Sequence, residues 1–152
     1  MRYNLPMNFE EKEVFEEEKF EGIEIGKEKI EEKEFENCQF IKCNFLETEL
    51  IKCRFSECVF KDCVWSGVKL KGSLFKDIKF LESKVMGIDW TETFGVNYLS
   101  FKKCQLNYSN FRFLKLKKLV MTDCEAKETD FIGAEIPGAD FSGTDLEKAV
   151  FS

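Results

Sequence analysis

The fold is decided by residues 35–90, which read FENCQ FIKCN FLETE LIKCR FSECV FKDCV WSGVK LKGSL FKDIK FLESK VMGID W. Each group of five begins with a large apolar residue, from Phe35 to Trp90. A period of five matches neither the 3.6 residues of a helix nor the alternation of a flat strand. A strict repeat this short is typical of a solenoid, in which each unit adds one side to a coil.

The pattern makes sense if the chain turns once in every repeat, so that the large residue always points inward. The residue two positions earlier is usually small, and seven of the nine glycines fall two positions later, where a turn favours a positive φ. We expect a core ladder of Phe35, Phe40, Phe45, Phe55, Phe60, Phe75 and Phe80. We expect small inward slots at Cys38, Cys43, Cys53, Cys58, Cys63, Cys104 and Cys124.

The repeat resembles that of the pentapeptide-repeat family, in which a small residue and Asp or Asn precede Leu or Phe and two polar residues. Residues 139–143 (ADFSG) and 144–148 (TDLEK) match this consensus directly. Residues 35–40 (FENCQF) are similar to the Cys/Phe-rich variant of bacterial members, which include quinolone-resistance proteins. The resemblance implies an all-β fold, a right-handed quadrilateral β-helix with twenty residues in each of about seven coils.

The register of the repeat slips once. After Trp90 the next clear centre is Phe101, eleven residues later instead of ten. One extra residue therefore lies near residues 91–98, where a bulge at a corner can hold it without breaking the stack. We expect a single domain with an N-terminal arm (1–13), an irregular first coil or cap (14–36), and regular coils over 37–90 and 99–151.

The first coil is expected to be irregular because charges occupy its small slots. Glu13, Glu18, Glu28 and Lys33 stand where the rest of the chain has compact residues. Burying unpaired charges is costly, so either the coil is distorted or these side chains escape at the end of the solenoid.

No residue pattern points to an enzyme, a cofactor or a metal. Histidine is absent, and we find no phosphate-binding loop, nucleophile elbow or clustered metal carboxylates. The cysteines all share the inward register, so we interpret them as core residues and not as disulfides or zinc ligands. With no run of eighteen apolar residues and no apolar leader, we expect a cytoplasmic protein without a membrane segment.

The sequence is compatible with two hypotheses for the function, and neither is enzymatic. Residues 1–36 carry 13 Glu against 5 Lys and Arg2, a charge of −7, while the whole chain carries −6. Some family members mimic DNA and bind DNA gyrase or topoisomerase IV, which protects these enzymes from quinolones. The near-neutral body and the cluster of Arg112, Lys115, Lys117 and Lys118 disfavour such a uniform acidic rod.

We therefore favour a protein-binding scaffold, with DNA mimicry toward gyrase as the alternative and no direct binding of nucleic acid. Outward apolar candidates for a binding face are Val59, Val64, Val68, Tyr98 and Tyr108. The repeat continues to Ser152, and the family implies a homodimer packed end to end through Phe141, Leu146 and Phe151.

Overall fold

A corner follows every central residue along residues 7–152, the part of the chain that the computed structural model describes. At most corners the residue two positions after the centre adopts a left-handed conformation, as at Asn37 (φ 52°) and Asp62 (φ 53°). After Ile25 the positive φ is at Gly26, and after Trp90 a 3₁₀ turn takes its place. Asn and Asp tolerate this conformation better than most residues, although Glu and Lys also occupy it here. Each five-residue unit thus forms one side and one corner of the coil.

The strands between these corners pair in parallel with the strands one coil away. Phe35 pairs with Phe55, Phe40 with Phe60, and Ile30 with Leu50, each across twenty residues. The predicted right-handed quadrilateral β-helix of about seven coils is confirmed. Its strands are β1 (Val14–Glu16), β2 (Lys19–Glu21), β3 (Lys29–Glu31), β4 (Glu34–Glu36), β5 (Gln39–Ile41), β6 (Glu49–Ile51), β7 (Arg54–Ser56), β8 (Val59–Lys61), β9 (Leu74–Leu81), β10 (Gly95–Lys102), β11 (Val120–Thr122), β12 (Asp130–Phe131) and β13 (Val150–Phe151).

The four sides of the coil are named here by the residues at their centres. The first face is centred on Phe15, Phe35, Phe55, Phe75, Val96, Leu116 and Ile136, and the second on Phe20, Phe40, Phe60, Phe80, Phe101, Met121 and Phe141. The third face is centred on Ile25, Phe45, Trp65, Val85, Leu106, Ala126 and Leu146, and the fourth on Ile30, Leu50, Leu70, Trp90, Phe111, Phe131 and Phe151.

The predicted slip of register lies at Thr93. The amide of Gly72 donates to the carbonyl of Glu92, twenty residues on, whereas the amide of Phe94 donates to Ser73, twenty-one residues back. A 3₁₀ turn (Trp90–Glu92) precedes the extra residue, and the Thr93 hydroxyl donates to the carbonyl of Trp90 at 2.8 Å. The stack resumes at once, because Val96 pairs with Phe75.

The first coil is regular, so the expectation of an irregular segment over residues 14–36 is wrong. Strands β1, β2 and β3 pair with β4, β5 and β6 at the same offset as the coils above. The Glu13 side chain is 69% exposed, whereas that of Lys33 is only 11% exposed. Lys33 Nζ lies 3.3 Å from Glu13 Oε1 and donates to the Lys12 main-chain oxygen at 2.8 Å. The backbone ladder stays intact because the Glu13 carboxylate reaches solvent and pairs with the Lys33 ammonium, so neither charge is buried without a partner.

A short helix, α1 (Met7–Glu11), covers this end of the tube. The Phe9 side chain is buried, and its ring centroid lies 5.1 Å from that of Phe15, 5.2 Å from Phe20 and 5.6 Å from Phe35. The helix therefore continues the aromatic core past the first coil. No helix formed by residues 7–152 is long and apolar enough to cross a membrane.

Candidate functional site

The phenylalanines of the expected core ladder lie inside the tube. Phe35, Phe40, Phe45, Phe55, Phe60, Phe75 and Phe80 are all buried. On the first face the Phe35 and Phe55 rings stack at 4.8 Å and 9°, and on the second face Phe40 and Phe60 stack at 4.7 Å and 8°. These side chains are occupied in packing, so they are not available to a ligand or a partner.

The seven cysteines fill the small slots as buried free thiols. Each thiol lies within hydrogen-bonding distance of a carbonyl in the coil below; for Cys58 the acceptor is Phe35, with Sγ 3.4 Å from the oxygen. The hydroxyls of Ser73 and Ser83 likewise donate to the main-chain carbonyls of Leu50 and Phe60. Cysteine therefore serves here as a compact residue with a weak donor, a role that serine also fills.

Burial and neighbouring thiols move the cysteine pKa values in opposite directions. Desolvation raises the pKa of Cys53 to about 11. The Cys58 thiol, one coil away, stabilises the thiolate of Cys38 by hydrogen bonding and lowers the pKa of Cys38 to about 7, against desolvation. Cys38 and Cys58 are both fully buried, so neither thiol is accessible to a substrate from solvent.

Residues 7–152 hold no group of three or more His, Cys, Asp or Glu side chains placed to bind a metal ion. The cavities of this region are shallow surface grooves of about 320–560 Å³. The parts of the molecule therefore differ mainly in the side chains on their outer surface.

The candidates for an outward binding face that the sequence suggested differ in their exposure. Val59 and Val64 are half-buried, and Val68 is buried, which corrects its selection as an outward residue. Val68 occupies a small inward slot, two residues before Leu70. Tyr98 and Tyr108 are exposed, on the corners after the first and third faces respectively.

The two most exposed phenylalanines were missed by sequence reasoning. Phe94 is 80% exposed and Phe113 is 68% exposed. The signal was available, because fourteen of the 17 phenylalanines occupy central positions and only Phe9, Phe94 and Phe113 do not. Phe9 covers the first coil, and the other two lie near the corner between the fourth and first faces.

Phe94 is exposed because its place in the register is a small slot. Its amide donates to the main-chain carbonyl of Ser73, and the side chains that occupy this slot in the two preceding coils, the Ser73 hydroxyl and the Cys53 thiol, are compact and buried. A phenyl ring does not fit in that slot, so it lies outside, where it lines a surface groove together with Leu74 and Gly72. At Gly95 a Cβ would stand 3.0 Å from Leu74 Cδ2, so the absence of a side chain there leaves room for the leucine.

Phe113 lies flat over the next coil. A Cβ on Gly133 would stand 2.3 Å from Phe113 Cδ1, so only glycine leaves room for the ring at this position. The guanidinium of Arg112 lies 5.3 Å from the centroid of the same ring, a cation–π distance. Arg112 Nε also lies 3.7 Å from Asp130 Oδ2. The exposed ring is thus held in place by its own coil and the next.

Charge changes sign along the first face. Its groove near the first coils is lined by Glu16, Glu17, Glu36, Asn37 and Glu57. Farther along the same face come the exposed Lys115, Lys117 and Lys118. In the next coil the exposed Glu135 follows Lys115 on this face, so the lysines interrupt the acidic surface and no continuous acidic stripe runs along the face.

The far end of the described tube exposes apolar side chains. Phe141 and Leu146 are half-buried, whereas Phe151 is 46% exposed. The Phe151 ring completes a stack on the fourth face, lying 4.9 Å from Phe131. These are the three residues that the sequence proposed for contact with a second copy.

Comparison with known proteins identifies the repeat. The profile of the pentapeptide repeat region matches residues 33–94, and that of the pentapeptide repeats (8 copies) matches residues 120–152. Comparison with curated protein sequences gives no significant match.

Solved structures with similarity to the chain are also repeat proteins. A trypsin-treated variant of QnrB1, a plasmid-mediated fluoroquinolone resistance protein, is 24% identical over 90% of this chain and 74% of its own, with a TM-score of 0.39. HetL, a pentapeptide repeat protein involved in heterocyst differentiation regulation in the cyanobacterium Nostoc, is 15% identical over 91% and 89%, with a TM-score of 0.29. Rfr23 of the cyanobacterium Cyanothece is 9% identical over 92% of both chains, with a TM-score of 0.31. By its two matching profiles and its five-residue coil geometry, this chain belongs to the pentapeptide-repeat family.

Proposed function

We propose that this chain is a non-catalytic scaffold that binds another protein through the first face, in the region bounded by Phe94, Tyr98 and Phe113. The observation that carries this proposal is the exposure of two phenylalanines, 80% and 68%, near one corner of a chain that buries nearly all its others. Burying a phenylalanine side chain contributes roughly 1.5–3 kcal/mol. Covering both rings would therefore supply a substantial part of the free energy of binding to a partner.

The region has the composition of an interaction surface. Aromatic residues and arginine are enriched at protein interfaces, and here Phe94, Phe113 and Tyr98 stand with Arg112 and Leu74. The strands beneath are already paired to the coils on both sides, as Leu74 is to Arg54 and Gly95. A partner would therefore contact side chains on a preformed face and would not add a strand to the sheet.

Site-specific cross-linking tests this proposal. The photo-reactive residue p-benzoylphenylalanine is placed at Tyr98 in the full chain and, as a matched control, at Tyr108, an exposed tyrosine on another corner. Irradiation in the native host should give a discrete cross-linked protein from position 98 that is absent from position 108. Phe94→Ser in the same chain should remove it. A cross-link that is equal at both positions, or unaffected by Phe94→Ser, contradicts the proposal.

The alternative function is DNA mimicry toward DNA gyrase. It requires an acidic surface along the rod, whereas the first face runs from Glu16 and Glu36 to Lys115 and Lys117. A supercoiling assay with gyrase, with and without ciprofloxacin, should show neither inhibition nor rescue by this protein. Rescue from ciprofloxacin would replace the general scaffold proposal with the topoisomerase one.

A homodimer through the far end remains a proposal about assembly. The half-buried Phe141 and Leu146 and the exposed Phe151 form an apolar surface that a second copy could cover by a two-fold contact. Light scattering should give the mass of a dimer, and Phe151→Asp should give the mass of a monomer. A monomeric mass for the unaltered chain contradicts this assembly.

A further inference from the structure

Two grooves flank the exposed phenylalanines, and both are lined by cations without a carboxylate. Phe94, Leu74 and Gly72 form one groove of about 320 Å³, whose charged residues are Lys52 and Arg54. The other, of about 560 Å³, is formed by Thr91, Asn110, Phe113 and Leu114, and its charged residue is Arg112, which also lies 3.7 Å from Asp130 Oδ2. At this corner the surface therefore offers apolar contact and positive charge together.

The cations of the first groove are available to a ligand. Lys52 and Arg54 are exposed, and among residues 7–152 neither makes an ion pair. This contrasts with Lys29 and Lys71 on the fourth face, which lie 3.7 and 3.0 Å from the carboxylate of Glu49. A carboxylate from outside would therefore meet unpaired positive charge beside Phe94.

The opposite charge lies in a groove of the first coils. The groove on the corner after the first face is lined by four glutamates and Asn37. Charge complementarity across an interface favours the matching partner and repels the like-charged one. Exposed carboxylates also lie in the last coils, among them Glu135, Asp140 and Glu147. An acidic partner is thus directed to the middle coils that carry Phe94 and Phe113, between these two acidic regions.

We propose that the corner formed by Lys52, Arg54, Phe94, Arg112 and Phe113 binds an acidic protein segment that carries one or two large apolar side chains. This inference rests on the proposed scaffold function and names the chemistry of the partner. The apolar side chain contacts Phe94 above the floor made by Leu74 and Gly72, while flanking carboxylates contact Lys52 and Arg54.

A nucleic acid fits this surface less well than a short acidic segment. Stacking aromatic side chains and cations are also the features that bind single strands. However, a polyanion lying along the first face would approach Glu34 and Glu36 in the coil next to Lys52 and Arg54, and the whole chain carries −6. Repulsion of a long phosphate chain favours a short segment whose charges are confined to the corner.

Fluorescence anisotropy with a defined probe tests the proposal. The probe is a labelled acidic peptide with Leu and Phe at its centre and Asp and Glu on both sides, and a labelled oligothymidylate of equal length is the nucleic-acid arm. The full chain should bind the peptide, and binding should weaken as salt is raised, because the contacts are largely ionic. The double variant Lys52→Glu with Arg54→Glu should weaken binding by about tenfold or more.

The fold offers matched controls for each part of the site. Lys42→Glu with Lys61→Glu makes the same charge change at exposed positions on the second face, and should leave peptide binding unchanged. Phe113→Asn should weaken binding several-fold, whereas Tyr108→Asn should not; both residues are exposed with positive φ, which asparagine tolerates. Thermal melting of each variant separates loss of binding from loss of fold.

Four results overturn the proposal: no binding of the peptide, equal weakening by the second-face control, tighter binding of the oligothymidylate, or self-association that Lys52→Glu with Arg54→Glu abolishes. The last result would identify a second copy as the occupant. If cross-linking from Tyr98 captures a partner whose contacting segment is not acidic, this inference fails while the proposed scaffold function stands.

Discussion

At the first coil, the Phe9 ring lies within 5.6 Å of three other phenylalanine rings and is buried. At the last coil of the described chain, the Phe151 ring stacks on Phe131 on one side and is 46% exposed. Both rings continue an aromatic stack of the tube, but α1 seals only the first. Because terminal coils of a solenoid lack one neighbour, such ends need cover. Within the described chain, the first and last coils should therefore contribute unequally to stability and to assembly.

Substitution in the body between the ends should have the largest effect. Phe60→Asp places an unpaired charge between the stacked rings of Phe40 and Phe80, so the tube should not fold. Circular dichroism should show loss of β structure. The same change at the 80% exposed Phe94 is the control and should leave the melting curve nearly unchanged. A folded Phe60→Asp chain would contradict the burial of this ladder.

The comparison of the two ends is tested directly by removing each terminal ring. Phe9→Ala should destabilise the protein by about 3 kcal/mol, within the range for deletion of a buried phenyl ring. Phe151→Ala should cost about 1 kcal/mol in the monomer, because roughly half of the ring is already in water. Urea unfolding measures both, and hydrogen exchange should show early opening of β1–β3 in the first variant. Equal losses would mean that α1 does not seal its end.

The dependence of stability on alkaline pH tests whether the cysteine thiols are buried in the tube. Desolvation raises the pKa of Cys53 from 9.0 to about 11. The unfolded chain therefore releases this proton first, so stability is full below pH 9 and falls as the pH rises toward 11, by up to about 2–3 kcal/mol. Urea unfolding across this range measures the loss. Cys53→Ser should reduce the loss of stability but not abolish it, because the pKa values of Cys58, Cys63 and Cys104 are also raised. A Cys53→Ser chain with an unchanged pH dependence would contradict the prediction.

The smallest effect is expected from the small slots. Cys58→Ala removes a weak hydrogen bond to the Phe35 carbonyl and leaves a gap of about one atom, so it should cost about 1 kcal/mol. Cys124→Ala, nearer the less covered end, should cost no more. Thermal melting measures both. Complete unfolding of either variant would show that the cysteines do more than pack.

Much of the fold is predictable because the repeat is strictly local. A large apolar residue, such as Phe40, and a compact residue, such as Cys38, recur at the same two positions of the repeat. One five-residue pattern therefore predicts which side chains fill the inside of the tube. The count from Trp90 to Phe101 also locates the extra residue to within a few positions. The regular first coil was not predictable in this way, because whether Glu13 and Lys33 must be buried depends on the end of the tube and not on their own repeat.

The candidate interaction surface was only partly predictable for the same reason. Tyr98 and Tyr108 can be assigned to corners by counting, whereas Val68 was misassigned against its own register. The grouping of Lys52, Arg54 and Phe94 depends on residues two coils apart along a corner shifted by Thr93. No local pattern contains that juxtaposition.

The repeat, read locally, is enough to predict the turn after every fifth residue, which side chains point inward, and the approximate position of the slip. Only the tertiary structure decided which outward residues share a corner, how α1 covers the first coil, and where exposed rings meet unpaired cations. Those features depend on neighbours twenty or twenty-one residues apart, and stacking of the coils, not the repeat itself, brings them together.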